Sequence, residues 1–172
     1  MSHSVSRPTW KPPLLSKLKV NFDGVVFRED QRAGVGVIIR DAEGRVCASM
    51  AESFHLPFSV AAVEVLVAKK ALQLTKNLGF HSIILEGDSK IAIDGLLSKN
   101  SSLNEYGHLL SEAKEVADQM DVMEFQFVLR QANKSTYNIA RHTTHVNEFM
   151  VWMKDVSPYL LSVIQTDSVI HQ

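Results

Sequence analysis

Apolar and polar positions alternate over residues 17–22. Leu18, Val20 and Phe22 take one face and Lys19 and Asn21 the other, which is the period of a strand ending at Asp23-Gly24. Gly34–Arg40 reads as a second strand rich in valine and isoleucine, Asp41–Gly44 as a turn, and residues 45–55 as a third strand. Short turns between them predict an antiparallel meander. The period then lengthens: from Ser59 to Leu78 the apolar residues recur at helical spacing, with Gly79 placed for a left-handed cap. Beyond it the pattern predicts a strand over 82–86, helices over 89–97 and 103–120, a strand over 123–128 and a helix over 135–146. Ser157-Pro158 reads as one more helix start. The order is that of an α/β domain with a mixed sheet, its later strands joined through helices.

Glu64 interrupts this pattern. Val60, Val63, Val67, Ala71, Leu74 and Leu78 form one apolar stripe, and Glu64 stands in the middle of it. A carboxylate on a buried face is costly unless it is paired or the site is wet. The plainer alternative is a partly exposed Glu matched by a lysine. Asp23 and Asp88 each follow a strand and adjoin a glycine, Gly24 and Gly87. In open α/β sheets, ligands bind just beyond the carboxyl ends of strands. If the first and fourth strands are neighbours, both aspartates enter one crevice beneath the Glu64 helix. Asp88 could equally cap the helix that follows it. Three converging carboxylates without a His/Cys cluster suit hard cations, Mg²⁺ or Mn²⁺.

Composition narrows the partners. The 172 residues carry a net charge of −1, which disfavours a purely electrostatic nucleic-acid binder more than a nuclease whose own carboxylates lower the sum. Cys47 is the single cysteine, so neither an internal disulfide nor a cysteine zinc site is possible. No apolar run is long enough for a membrane span, and the polar start lacks the apolar stretch of a secretory signal. The expectation is a cytoplasmic or nuclear protein with no membrane partner. Pro8, Pro12 and Pro13 exclude helix near the start, where Trp10 is a candidate anchor.

The segments Lys19-Val-Asn-Phe-Asp23-Gly24, Ala33 through Asp41, Val63-Glu64 with Ala71-Leu72, and Leu78-Gly79 through Glu86-Gly-Asp88-Ser89 resemble the ribonuclease H family. They are most similar to the plant ribonuclease H-like domains that also occur in retroelement-derived reverse transcriptases. Trp10-Lys-Pro-Pro13, Trp152 and Pro158 look like that subgroup too. The resemblance implies a five-stranded mixed sheet of order 3-2-1-4-5 flanked by helices. It implies Asp23, Glu64 and Asp88 as catalytic metal ligands for two ions, with Asp23 bridging them. The family's fourth ligand, an Asp or in plant forms often a His, stands four residues after an Asn. Here Asn133 is followed by Tyr137 at that place, a departure, because a phenol with a pKa of about 10 is a poor Mg²⁺ ligand.

The resulting expectation has three parts: an extended arm over 1–16, a ribonuclease H-like domain over 17–148, and a helical extension over 149–172 packed on it. Asn21, Gly24, Arg130, Asn133 and Lys134 are the candidate substrate contacts, with Arg40 and Arg141 as further basic positions. The expected activity is metal-dependent endonucleolytic cleavage of RNA within a duplex, either an RNA/DNA hybrid or double-stranded RNA, leaving 5′-phosphate and 3′-hydroxyl ends. The alternative is a weak or inactive domain kept to bind nucleic acid or a protein, motivated by Tyr137 and the near-neutral charge.

Overall fold

Strand β1 (Leu18–Phe27) organises the fold because it is paired on both edges. On one side it runs antiparallel to β2 (Arg32–Arg40), which in turn runs antiparallel to β3 (Val46–His55). On the other it runs parallel to β4 (Ser82–Gly87), followed by β5 (Asp121–Phe127), also parallel. This computed structural model describes residues 8–56, 59–100, 103–143 and 149–153. Its sheet has the order β5-β4-β1-β2-β3-β6, so the 3-2-1-4-5 arrangement implied by the ribonuclease H resemblance is present with one strand added.

The added strand corrects an expectation. β6 (Met150–Met153) pairs antiparallel with β3, Trp152 opposite Ser49, where a helical extension was anticipated from residue 149. Residues 154–172, including Ser157-Pro158, lie outside the described residues, as do 1–7 of the arm. β1 also differs from its pattern: it continues four residues past Asp23, because Val25, Val26 and Phe27 find partners on β2 in Gly34, Ala33 and Arg32. Its pairing with β4, however, stops at Phe22 opposite Gly87. Asp23 is therefore the first residue of β1 without β4 beside it, and the crevice opens there although the strand does not end.

Helices cover both faces. α1 (Val60–Asn77), α2 (Lys90–Leu97) and α3 (Gly107–Asp118) lie on the side to which Val20, Phe22, Val35, Val37 and Ile39 contribute core. α4 (Lys134–His142) lies on the other, where Ile139 meets Ile38 and Ala51. α1 starts on Ser59, whose hydroxyl accepts from the Ala62 amide, and ends before Gly79 at φ 78°. α3 begins at Gly107, shorter than the 103–120 expected from its pattern, and β5 starts two residues earlier than expected, at Asp121. None of the described helices is long and apolar enough to cross a membrane.

Contact between α4 and β2 is made backbone to backbone over Gly36. A methyl group there would stand 2.4 Å from the Thr136 carbonyl oxygen and 2.7 Å from the Ala140 nitrogen. Neither can yield without moving the helix. Gly36→Ala is expected to cost about 1–3 kcal/mol and to lower the melting temperature by about 2–4 °C per kcal/mol. An unchanged thermal melt would mean that α4 is not held by this approach.

Candidate active site

Three elements deliver the carboxylates. Asp23 comes from β1 at the point where β4 falls away, Asp88 from the residue after β4, and Glu64 from the first turns of α1. The strand–helix junction after β4 is capped by Ser89, whose Oγ accepts from the Ala92 amide, so Asp88 is not the cap. It is left to face the crevice.

Asp23 is 1% exposed. Its Oδ1 accepts from the Gly24 amide at 2.8 Å, while Oδ2 is buried with no hydrogen-bond partner among the described residues. An orphaned carboxylate oxygen inside a protein is expensive and calls for a counter-charge or a ligand. Burial, then Asp88 and Glu64, push the Asp23 carboxyl up to about 8, against the Gly24 amide and Arg130. Burial and Asp88 likewise push Glu64 up to about 7, opposed by Arg130 and a hydrogen bond from Ser89. The sequence pattern starts this helix at Ser89 but offers Asp88 as its cap and does not mark Ser89 as a site residue, although its place just after a strand and before an apolar helical run is a capping signal.

Arg130 is the cation of this cluster. Its Nε lies 3.2 Å from Asp88 Oδ2, with the arginine side chain 63% exposed and that of Asp88 only 9%. The guanidinium carbon sits 4.6 Å from the centre of the Tyr137 ring. Arg141 Nη1 donates to the Tyr137 hydroxyl at 3.1 Å. Tyr137 is thus a platform between two arginines. Lys134 is exposed at the first residue of α4.

Three of the expected substrate contacts are engaged within the protein itself. Asn21 is fully buried: its Nδ2 donates to Glu86 Oε1 at 3.0 Å and to Asn133 Oδ1 at 3.1 Å, and its Oδ1 accepts from Trp10 Nε1 at 2.8 Å. Asn133, equally buried, donates to the Phe22 carbonyl at 2.8 Å. Gly24 admits α1, since a Cβ there would meet Val67 Cγ2 at 2.9 Å, and Gly87 admits the Phe22 ring in the same way. Both glycines make room for neighbouring side chains of the protein. Arg40 is no surface cation either, being buried 4.0 Å over the Trp10 ring.

The chain's similarity to known proteins agrees with this geometry. The reverse transcriptase-like family matches residues 21–143, a span holding all three carboxylates, Arg130 and Tyr137. The chain belongs to this family. No curated protein matches it. Among solved structures, RNase H1 of the archaeon Halobacterium salinarum NRC-1 is similar with a TM-score of 0.65 at 19% identity, over 75% of this chain and 98% of that one. The N-terminal RNase H domain of a Mycobacterium tuberculosis protein gives 0.64 at 18%, over 75% and 94%. LC11-RNase H1, solved with an RNA/DNA hybrid, gives 0.64 at 14%, over 73% and 94%. This reverse transcriptase-like domain therefore has the ribonuclease H fold.

Within that fold the donor chemistry fits a hard divalent cation: three carboxylates, of which Asp23 and Glu64 are raised by burial and by the neighbouring carboxylates, and Asp23 has a buried oxygen without a hydrogen-bond partner among the described residues. Among the described residues no three His, Cys, Asp or Glu donors stand at ready coordination spacing.

Stability should carry the mark of this crowding. Without metal, folded Asp23 and Glu64 keep protons that the unfolded chain has already released above the ordinary carboxylate range. Their contribution is fully present below about pH 4 and is lost as pH rises toward 8. In chelator, the melting temperature is expected to fall from pH 5 to pH 8.5, and this slope should flatten in Asp23→Asn. Equal slopes in the two proteins would place the burden elsewhere.

Proposed function

We propose that this domain is a divalent-metal-dependent endonuclease that hydrolyses RNA within a duplex, an RNA/DNA hybrid first and double-stranded RNA second. The observation that carries this reading is the orphaned, buried Asp23 oxygen beside Asp88 and Glu64. Asp23, Glu64 and Asp88 would hold Mg²⁺ or Mn²⁺. A bound ion of this kind supplies Lewis acidity and a water of lowered pKa. The protein's own part is to give up the protons on Asp23 and Glu64 as the ion enters, so apparent metal affinity should rise with pH. Attack by water on phosphorus with loss of the 3′-oxygen leaves a 5′-phosphate and a 3′-hydroxyl.

Arg130, beside Asp88, and Lys134, exposed at the start of α4, are the residues to meet the phosphate backbone. Recognition by duplex shape and 2′-hydroxyls across a wide minor groove gives little sequence preference. The likeness to LC11-RNase H1, itself solved with a hybrid, supports the hybrid as first substrate.

One observation favours a second reading, a domain that binds duplex without cutting it: Asp88 already spends an oxygen on Arg130, and Tyr137 offers no ligand. Labelled hybrid, double-stranded RNA, single-stranded RNA and double-stranded DNA, each with Mg²⁺, Mn²⁺ or chelator, separate the two. Metal-dependent cleavage of hybrid supports the nuclease. Binding without cleavage in either metal would leave only the binder.

A further inference from the structure

The carboxylate cluster contains a cation of its own. Arg130 opens a one-turn 3₁₀ helix (Arg130–Asn133) whose last residue is tied to the body from two sides. Asn133 donates to the Phe22 carbonyl, the residue before Asp23, and its Oδ1 accepts from Asn21 Nδ2 and, at 2.7 Å, from Thr136 Oγ1. The end of β5 is fastened beside Asp88 by the Val128 amide, which donates to the Gly87 carbonyl at 2.9 Å. The backbone that carries Arg130 is therefore fixed against both strands that present the aspartates.

Its side chain has partners as well. One edge of the guanidinium bonds Asp88 Oδ2 and one face rests on the Tyr137 ring, whose hydroxyl is held in turn by Arg141. A guanidinium does not lose its charge at any working pH, and its flat, forked shape suits this combination of carboxylate and ring where an ammonium would not. The same charge is felt at Asp23 and Glu64. Three carboxylates, one divalent ion and one guanidinium sum to zero, whereas a second divalent ion would leave a net positive site beside a permanent like charge.

We infer that Arg130, seated on Tyr137 and bonded to Asp88, holds the place of a second cation, so that the site takes one divalent ion. This rests on the carboxylates being the metal site, and it gives Tyr137 a role as the platform that positions Arg130. The exposed edge of the guanidinium remains directed to an incoming phosphate, which the charge of a second ion would otherwise attract.

The test is Mn²⁺ binding to the whole protein at pH 8, counted by calorimetry and by the electron-spin signal of free Mn²⁺. The wild type is expected to bind one ion. Arg130→Ala should bind Mn²⁺ about tenfold more tightly, the gain from removing one largely solvated like charge, while cleaving hybrid more slowly. Arg130→Lys should fall between, since lysine keeps the charge but not the stacking. Tyr137→Asp, which removes the platform and adds a carboxylate, should take up a second ion. Two ions on the wild type, or an Arg130→Ala affinity equal to wild type, would overturn the inference while leaving the carboxylate site standing. No binding by the wild type, or undiminished binding by Asp23→Asn, would instead remove the carboxylate site itself.

Discussion

Asp23→Asn is expected to lose cleavage by about 10³-fold or more, since in the proposed reaction several kcal/mol of transition-state stabilisation would depend on an ion held by Asp23. The same substitution should leave the metal-free protein as stable as wild type at pH 5 and more stable at pH 8. Asp23 is buried among like charges, and an amide of the same shape has no proton to lose as pH rises. Millimolar Mn²⁺ should raise the wild-type melting temperature by mass action and leave that of Asp23→Asn nearly unmoved. Activity and stability thus move in opposite directions, which a merely structural aspartate would not produce. Paired melts and initial rates on hybrid check both halves. Retained cleavage, or a destabilised variant with an unchanged metal response, would remove Asp23 from the site.

Glu86→Ala is expected to have the largest effect on folding. Glu86 is buried, with Oε2 3.2 Å from Lys19 Nζ and Oε1 accepting from Asn21. Lys19 Nζ also donates to the Lys11 carbonyl at 2.6 Å, and Trp10 closes the network through Asn21. Removing the carboxylate leaves the buried Lys19 ammonium without its counter-charge and takes one acceptor from Asn21, a loss of about 3–5 kcal/mol. At about 2–4 °C per kcal/mol the melting temperature should drop by roughly 10 °C. Replacing Lys19 and Glu86 together by Met and Leu should restore much of it, because the cost lies in the orphaned charge rather than in the pair. Urea unfolding of the single and double variants measures this. If the single variant unfolds with the wild type, the network carries no weight.

That network also marks where the sequence stopped being legible. The alternation over 17–22 assigned Leu18, Val20 and Phe22 to one face and Lys19 and Asn21 to the other, and the two faces are as described. Alternation does not say that the second face is covered. Here Trp10 of the arm and Asn133 before α4 cover it, contacts separated in sequence from Asn21 by 11 and 112 residues. From the sequence alone a polar residue such as Asn21 or Asn133 reads as a candidate substrate contact, and its buried partners become visible only in the fold. Glu64 was the opposite case. A lone carboxylate within an apolar helical stripe conflicts with burial on its own terms, and that conflict was visible without any partner. Tyr137 was visible as a departure from the family, but its engagement with Arg130 and Arg141 was not, because the one-turn helix that brings Arg130 back over it has no periodic signal. β6 was missed for a related reason: four residues are too short to display a period, and its pairing partner lies on β3 about a hundred positions earlier.

The most direct measurement is the chemical identity of the ends made from a uniform RNA/DNA hybrid, read by mass spectrometry after incubation with Mn²⁺. Asp23, Glu64 and Asp88 would hold an ion that activates water for attack on phosphorus with loss of the 3′-oxygen, so the expected products carry 5′-phosphate and 3′-hydroxyl ends. They should be absent in chelator and absent with Asp23→Asn. Products ending in 2′,3′-cyclic phosphate, cleavage that survives chelator, or intact hybrid at every Mn²⁺ concentration would contradict a metal-dependent nuclease built on Asp23, Glu64 and Asp88.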